Sequence, residues 1–345
     1  MKNIVFWTMI LFAGMSKAQD IHFSQFYMMP LQQNPSMAGA LYELEANVIY
    51  KDQWRAVSSP YRTFGMGYHM RFSKKKKPNG YLAAGANFFS DQAGDGNLGT
   101  TKGGLSLAYH IKADTYNSFG AGLYGGYFQR KIDYTNLTWA SQYDGLQMNT
   151  SLPAGDVGQA NYSRFDLGAG INWTYNNTGG DIKVAGNNDL NFNLGLGVFH
   201  LNRPTVSFLG SDDRLNMRYV FHGNGVISLS NSNWAVVPGF MYARQGPSQE
   251  IYVGSLMRYL LSQNSKFTGF KNGAALYAGA YMRMRDAVTA KMIIEYAGWA
   301  FGVSYDVNVS SLNTASNFRG GLEFSLRFVA PNPFSSGYGA NNSRY

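Results

Sequence analysis

Trp299-Ala-Phe-Gly-Val-Ser-Tyr-Asp-Val-Asn-Val-Ser310 decides the fold. Trp299, Phe301, Val303, Tyr305, Val307 and Val309 share one parity, and Ala300, Gly302, Ser304, Asp306, Asn308 and Ser310 the other. Period two puts the two sets on opposite faces of a β-strand. The pattern returns downstream, where Leu322, Phe324, Leu326 and Phe328 alternate with Glu323, Ser325 and Arg327. It appears upstream as well, where Phe192, Leu194, Leu196 and Val198 alternate with Asn193, Gly195 and Gly197. A soluble sandwich would turn the small and polar set to bulk water. A membrane barrel turns that set into its lumen and gives the apolar set to lipid.

Outward from these segments, alternation dominates from about residue 44 to 329. It predicts strands near 44–54, 61–72, 81–91, 100–112, 117–131, 162–175, 190–202, 218–230, 233–243, 249–260, 273–285, 287–297, 299–310 and 318–329. Strands of roughly 11–13 residues are long against the mode of about 5–6 in globular sheets. A tilted strand crosses a bilayer in about 9–11 residues. The strand number is even, as in bacterial single-chain barrels, and Tyr and Trp ring the segments as interfacial girdles require. The expected fold is therefore all-β, a transmembrane antiparallel up-and-down β-barrel of about 14 strands spanning 44–329. With both termini in the periplasm, the outward loops fall near 55–60, 92–99, 132–161, 203–217, 244–248, 286 and 311–317. The longest connection then lies outside, as is usual for such barrels.

The flanking segments read differently. Lys2, the apolar run Ile4 to Met15 and the small residues Ser16 and Ala18 read as a secretory signal peptide over 1–18, cleaved near Ala18-Gln19 after Sec export. Residues 19–43 do not alternate. They carry the turn signal Asn34-Pro35-Ser36 and are expected at or in the barrel mouth. Residues 330–345 read as a flexible C-terminal tail.

Composition narrows the function classes. The 345 residues include 40 glycines, 15% aromatics and no cysteine, with 45% hydrophobic and 14% charged residues. That excludes intrinsic disorder, a disulfide scaffold and any Cys-built metal site. No stretch after residue 18 approaches the roughly 20 apolar residues of a spanning helix. The formal charge of +9 includes Lys2 and Lys17 of the signal, and no basic helix occurs, so nucleic acid is not a partner.

Catalytic motifs are missing from the sequence. The five histidines, His22, His69, His110, His200 and His222, show neither H-x-x-x-H nor H-E-x-x-H spacing. His200 or His222 would be the base of a membrane hydrolase, but nothing places a serine beside either. Hydrogen bonding inside the lumen or at strand ends is the simpler role. Asp91-Gln-Ala-Gly-Asp-Gly-Asn97 has oxygens at calcium-like density, yet Lys102 stands at the twelfth position where an acid should close the loop. Lys74 to Lys77 form a basic turn suited to anionic head groups or an acidic partner, or simply to solvent. No catalytic, cofactor-binding or metal residue is identified, and no cofactor is expected. The partner-binding candidates are Trp54, Arg55, Tyr61 and Arg62, at the outer rim, since Trp, Tyr and Arg dominate protein interfaces. An ordinary aromatic girdle is the competing reading.

Asp20-Ile-His-Phe-Ser-Gln-Phe followed by Asn34-Pro-Ser-Met-Ala-Gly resembles the opening of the PorP/SprF family, outer-membrane proteins of the type IX secretion and gliding-motility systems of Bacteroidota. The resemblance continues through Tyr50-Lys-Asp-Gln-Trp-Arg, Phe89-Ser-Asp-Gln-Ala-Gly and Ser106-Leu-Ala-Tyr-His-Ile. It runs on through Phe199-His-Leu-Asn-Arg-Pro, Arg218-Tyr-Val-Phe-His-Gly and Tyr281-Met-Arg-Met-Arg-Asp-Ala. Gly302-Val-Ser-Tyr-Asp-Val-Asn-Val-Ser-Ser-Leu and Arg319-Gly-Gly-Leu-Glu-Phe-Ser-Leu complete it. The order of the pieces, over essentially all of 19–329, carries the specificity. The tail after 330 departs from the expectation that such chains end at the final strand.

The resemblance implies a non-enzymatic barrel of the bacterial outer membrane. Its partners would be outer-membrane lipid and a large secreted or surface protein, adhesin-like, bound through that protein's C-terminal domain and exported or anchored with its help. Periplasmic type IX components are further candidate partners. The competing functional reading is a passive outer-membrane channel or hydrophobic-solute transporter.

Overall fold

The computed structural model describes residues 20–331 apart from 54, 56–59, 74–78, 95, 156, 178–189, 264–271 and 311–317. Residues 1–19, with the expected signal peptide over 1–18, Trp54, Lys74 to Lys77 and residues 332–345 lie outside the described residues. Fourteen strands occur among them: β1 (Leu44–Gln53), β2 (Tyr61–Phe72), β3 (Gly80–Ala93), β4 (Leu98–Lys112), β5 (Asn117–Lys131), β6 (Asn161–Asn176) and β7 (Leu190–Phe199). The second half is β8 (Arg218–Ser228), β9 (Trp234–Gln245), β10 (Ser248–Ser262), β11 (Ala274–Arg283), β12 (Ala287–Tyr296), β13 (Trp299–Asn308) and β14 (Arg319–Ala330). Each pairs antiparallel with its sequence neighbours, and β1 pairs with β14 from Leu44↔Ala330 to Gln53↔Gly321. The sheet is closed, so no strand edge is left along the wall.

Two boundaries differ from the sequence reading. The β3–β4 connection shrinks to 94–97, because Asp91, Gln92 and Ala93 pair with Thr100, Gly99 and Leu98. These strands are hydrogen-bonded beyond the point where their alternation fades. β7 stops at Phe199 rather than at 202. His200 turns into the left-handed region (φ 58), and the Asn202 side chain accepts the Leu167 N–H in place of a strand.

The barrel is inverted relative to a soluble protein. Leu105, Leu123 and Phe165 point outward and are 68%, 67% and 73% exposed. Glu45, Lys51, Asp306 and Glu323 point inward and are buried. Aromatic pairs such as Trp234–Tyr259 and Trp299–Phe328, with ring centroids 4.7 and 4.5 Å apart, stand at the turn end of the wall. Such rings suit the boundary between hydrocarbon and water.

The lumen is filled by the chain itself. Residues 20–43 run through it in three short helical turns, Phe26–Met28, Pro30–Gln33 and Pro35–Met37. Pro30 and Pro35 open the second and third, where a missing N–H costs nothing. Phe23, Phe26, Met28 and Met29 pack on Ile49, Phe89, Tyr252, Leu256 and Tyr281 of the wall, forming the largest apolar cluster. An apolar core thus sits inside a polar-lined cylinder.

Candidate functional site in the barrel lumen

The internal segment is fastened to the wall at three levels. At the level nearest the long loops, Asp20 Oδ2 lies 2.9 Å from His200 Nε2, 3.8 Å from Lys102 Nζ and 4.0 Å from Arg218 Nη1. His200 Nδ1 lies 2.8 Å from Asp166 Oδ1, and Lys102 Nζ 2.8 Å from Asp166 Oδ2. An imidazole with a carboxylate on each nitrogen donates from both, which requires the protonated ring. Burial works against that charge, but Asp20 and Asp166 outweigh it and hold His200 above the ordinary histidine value. Burial likewise disfavours the Asp20 carboxylate, yet His200 and Lys102 hold it well below the ordinary carboxylate range. His22, by contrast, is pushed well below its ordinary value by burial and by the cations Lys51, Arg283 and Arg218.

One turn deeper, the wall binds the segment's backbone. Glu323 accepts from the N–H groups of Ser24 (2.8 Å) and Gln25 (2.6 Å), and Lys51 stands 4.0 Å from the same carboxylate. Lys291 donates to the Ser24 carbonyl, and Ser24 Oγ donates to Asp306 at 2.8 Å. Arg283 joins Asp306 (3.2 Å) to the Tyr252 hydroxyl (2.7 Å). A charged, buried network of this kind holds only when each member has partners.

The third level is Asn34-Pro35-Ser36-Met37-Ala38-Gly39. The Asn34 carbonyl oxygen of the side chain accepts from Ser36 N and Ser36 Oγ, while its amide donates to Ile171 O (2.8 Å) and lies 3.2 Å from His222 Nε2. His110 Nε2 donates to the Ala38 carbonyl at 2.8 Å, and Gly39 N–H donates to His69 Nδ1 at 3.1 Å. Tyr81 and Arg71 donate to the Gly39 carbonyl at 3.1 and 2.6 Å. Backbone comes close to backbone here: a Cβ on Gly122 would sit 2.5 Å from Ser36 N, and one on Gly197 would strike the Gln33 carbonyl. The glycine-rich lumen faces of β5 and β7 are the space this segment needs.

All five histidines meet this interface, four from the wall and His22 from the segment. Neither His200 nor His222 has a serine among the partners of its ring nitrogens; they bind Asp20 with Asp166, and Asn34. Among the described residues no group of three or more acidic or histidine side chains is arranged to hold a metal ion. No partner for the lumen-facing histidines can be read locally, because those partners lie far away in the chain. For His69, His110 and His222 the available signal was their place on the small and polar parity of β2, β4 and β8.

Above the segment, toward the long loops, a vestibule of about 530 Å³ opens between β2–β5 and the ends of β7 and β8. Asp20, His22, Lys102, Arg130 and Arg218 reach it, with Tyr61 on its rim. Of the rim residues singled out in the sequence, Arg55 is exposed and pairs with Asp52 at 2.6 Å, and Arg62 lies 3.8 Å from the same carboxylate. Tyr61 begins β2 opposite Gln53. The structure thus brings Arg55 and Arg62 together on Asp52 and sets Tyr61 apart, toward the vestibule. Beyond the rim, connection 200–217 packs on the end of β6 through Phe208 and Tyr162, with centroids 4.8 Å apart, and on connection 132–160 through Gln159 N–H to Phe208 O at 2.7 Å. They leave Leu146 (92%) and Leu209 (64%) exposed.

The chain is distantly similar to solved barrels. BamA from Haemophilus ducreyi lacking POTRA domains 1–3 aligns at 11% identity over 84% of this chain and 70% of that one, with a TM-score of 0.40. The translocator domain of the autotransporter NalP from Neisseria meningitidis aligns at 11% over 87% and 92%, with a TM-score of 0.33. The deltaS2 mutant of the TodX monoaromatic hydrocarbon channel aligns at 10% over 86% and 91%, with a TM-score of 0.44. No curated protein matches the chain. The family model described as type IX secretion system membrane protein PorP/SprF matches residues 15–328, nearly the whole barrel and the segment inside it. A closed barrel, apolar outside and carrying that match from end to end, belongs to the PorP/SprF family of type IX secretion system membrane proteins and sits in the outer membrane.

Proposed function

We propose that this barrel is a docking platform for one large secreted or surface protein, held through that protein's C-terminal domain at the loop end of the wall and exported or anchored there. The occupied lumen carries this reading. Residues 20–43 fill the barrel and are tied to its wall by buried ion pairs and backbone hydrogen bonds. A cylinder stoppered in this way offers its work surface at its ends. The exposed apolar residues Leu146 and Leu209, on loops packed together, are of the kind that mark interaction surfaces. Tyr61, Arg55 and Arg62, with Trp54, are the rim contacts we assign to that partner, and we place the loop end outside the cell. The mature chain would reach the membrane after Sec export and loss of residues 1–18. No catalytic role is assigned.

Mild-detergent purification of the tagged protein, with identification of what co-purifies, tests the reading. A stoichiometric large surface or secreted protein is expected. Deletion of the gene should strip that protein from the cell surface; full display after deletion would remove the proposal. A passive channel would instead give ionic conductance in planar bilayers with no protein partner.

A further inference from the structure

The vestibule above the internal segment already binds one carboxylate. Asp20 is held there by His200, Lys102 and Arg218. On the neighbouring wall Arg130 reaches the same cavity, and its Nε is buried with no hydrogen-bond partner among the described residues. A buried donor without an acceptor is costly, and a charged one more so. A guanidinium is shaped for a planar, two-oxygen anion. Asp91 shares the cavity, but its Oδ1 accepts from Thr63 Oγ1 at 2.6 Å, and no ion pair joins it to Arg130 among the described residues. Lys102 is engaged by Asp166 and Asp20, and Arg218 by Asp20, whereas Arg130 has no carboxylate within ion-pair distance among the described residues.

Size and lining narrow the ligand. A cavity of about 530 Å³ is far larger than a bare anion needs and suits a few residues of extended chain. Phe89, Tyr124 and Phe199 give it apolar walls, and Thr63 and Thr100 add hydroxyls. We infer that the vestibule is a receptor for a carboxylate carried on an extended polypeptide, which enters from the loop end and is gripped by Arg130. The polypeptide's origin rests on the docking reading above; the site itself does not.

The full chain in nanodiscs, titrated with a short fluorescein-labelled peptide of glycine, serine and valine, tests this by anisotropy. Three forms are compared: a free C-terminal carboxylate, a C-terminal amide, and the amide with an internal aspartate. Binding of an acidic form in preference to the plain amide is expected, and whichever acidic form binds tells chain end from side chain. Arg130→Gln should weaken that binding about tenfold, the worth of one charge-assisted hydrogen bond, with Arg130→Lys intermediate. Unchanged heat-modifiable gel migration confirms that the variants fold. Equal binding of all three forms, or no effect of Arg130→Gln, overturns the site. Peptide binding absent while the large partner still co-purifies also overturns it and leaves the docking reading standing. Peptide binding without any captured partner supports the site and removes that reading.

Discussion

Asp20 and His200 are 180 residues apart in the chain, and their side chains meet at 2.9 Å inside the barrel. The contact ties the outer end of the lumenal segment to the wall just where β7 breaks off. It also makes that end sensitive to protons. The folded His200 value lies above the ordinary one, so its contribution is complete below about pH 6.5 and is lost as pH rises through the raised value. The folded Asp20 value lies below the ordinary one, so its contribution is complete above about pH 4 and is lost as pH falls through the lowered value. The latch therefore holds over the window between and weakens on its alkaline side. Hydrogen-exchange protection of residues 20–26, corrected for intrinsic rates, should fall at alkaline pH. His200→Gln should show the low value throughout.

Glu323 carries two backbone N–H groups and faces Lys51 at 4.0 Å. Removing one member of a buried charged network typically costs about 3–5 kcal/mol, because the partners stay charged and unpaired. Glu323→Ala should therefore lower the urea midpoint in detergent strongly. Glu323→Gln, which keeps an acceptor for the segment, should cost less.

Gly122 faces backbone, not a flexible side chain, at the Asn34-Pro35-Ser36 turn. Gly122→Val must displace the segment or bend β5, at a cost of about 1–3 kcal/mol. Loss of exchange protection over residues 33–39 with the strands still protected is the expected result. The same variant should conduct in planar bilayers more often than the parent, which is expected to stay closed.

At the rim, the combined Arg55→Ala, Tyr61→Ala and Arg62→Ala variant should fold, since Arg55 and Arg62 are largely exposed. Recovery of the large partner in the detergent pull-down should fall several-fold, as expected when interface anchors are truncated. Unaltered recovery would put the contact surface elsewhere, on the loops that carry Leu146 and Leu209.

The wall was legible because a strand writes its two faces into alternate residues. Trp299 to Val309 announced lipid on one side, and Ala300 to Ser310 a lined interior on the other. The strand ends were less legible. β3 and β4 pair past their alternation through Asp91 and Gln92, and β7 ends before a left-handed histidine that strand parity would place on the lipid face but that is buried inside. The rim residues could be named from their types, but not that Arg55 and Arg62 share Asp52 while Tyr61 turns to the vestibule.

The cylinder follows from the chain alone: the period, the approximate place of each strand and the polarity of each face are local properties. The content of that cylinder is set by tertiary contacts. Asp20 finding His200, Ser24 finding Glu323 and Asn34 finding His222 are contacts between residues separated by 180, 299 and 188 positions. No local period encodes such pairings. They arise because closing the sheet brings every strand around one enclosed volume, where buried charges and open backbone groups must satisfy one another.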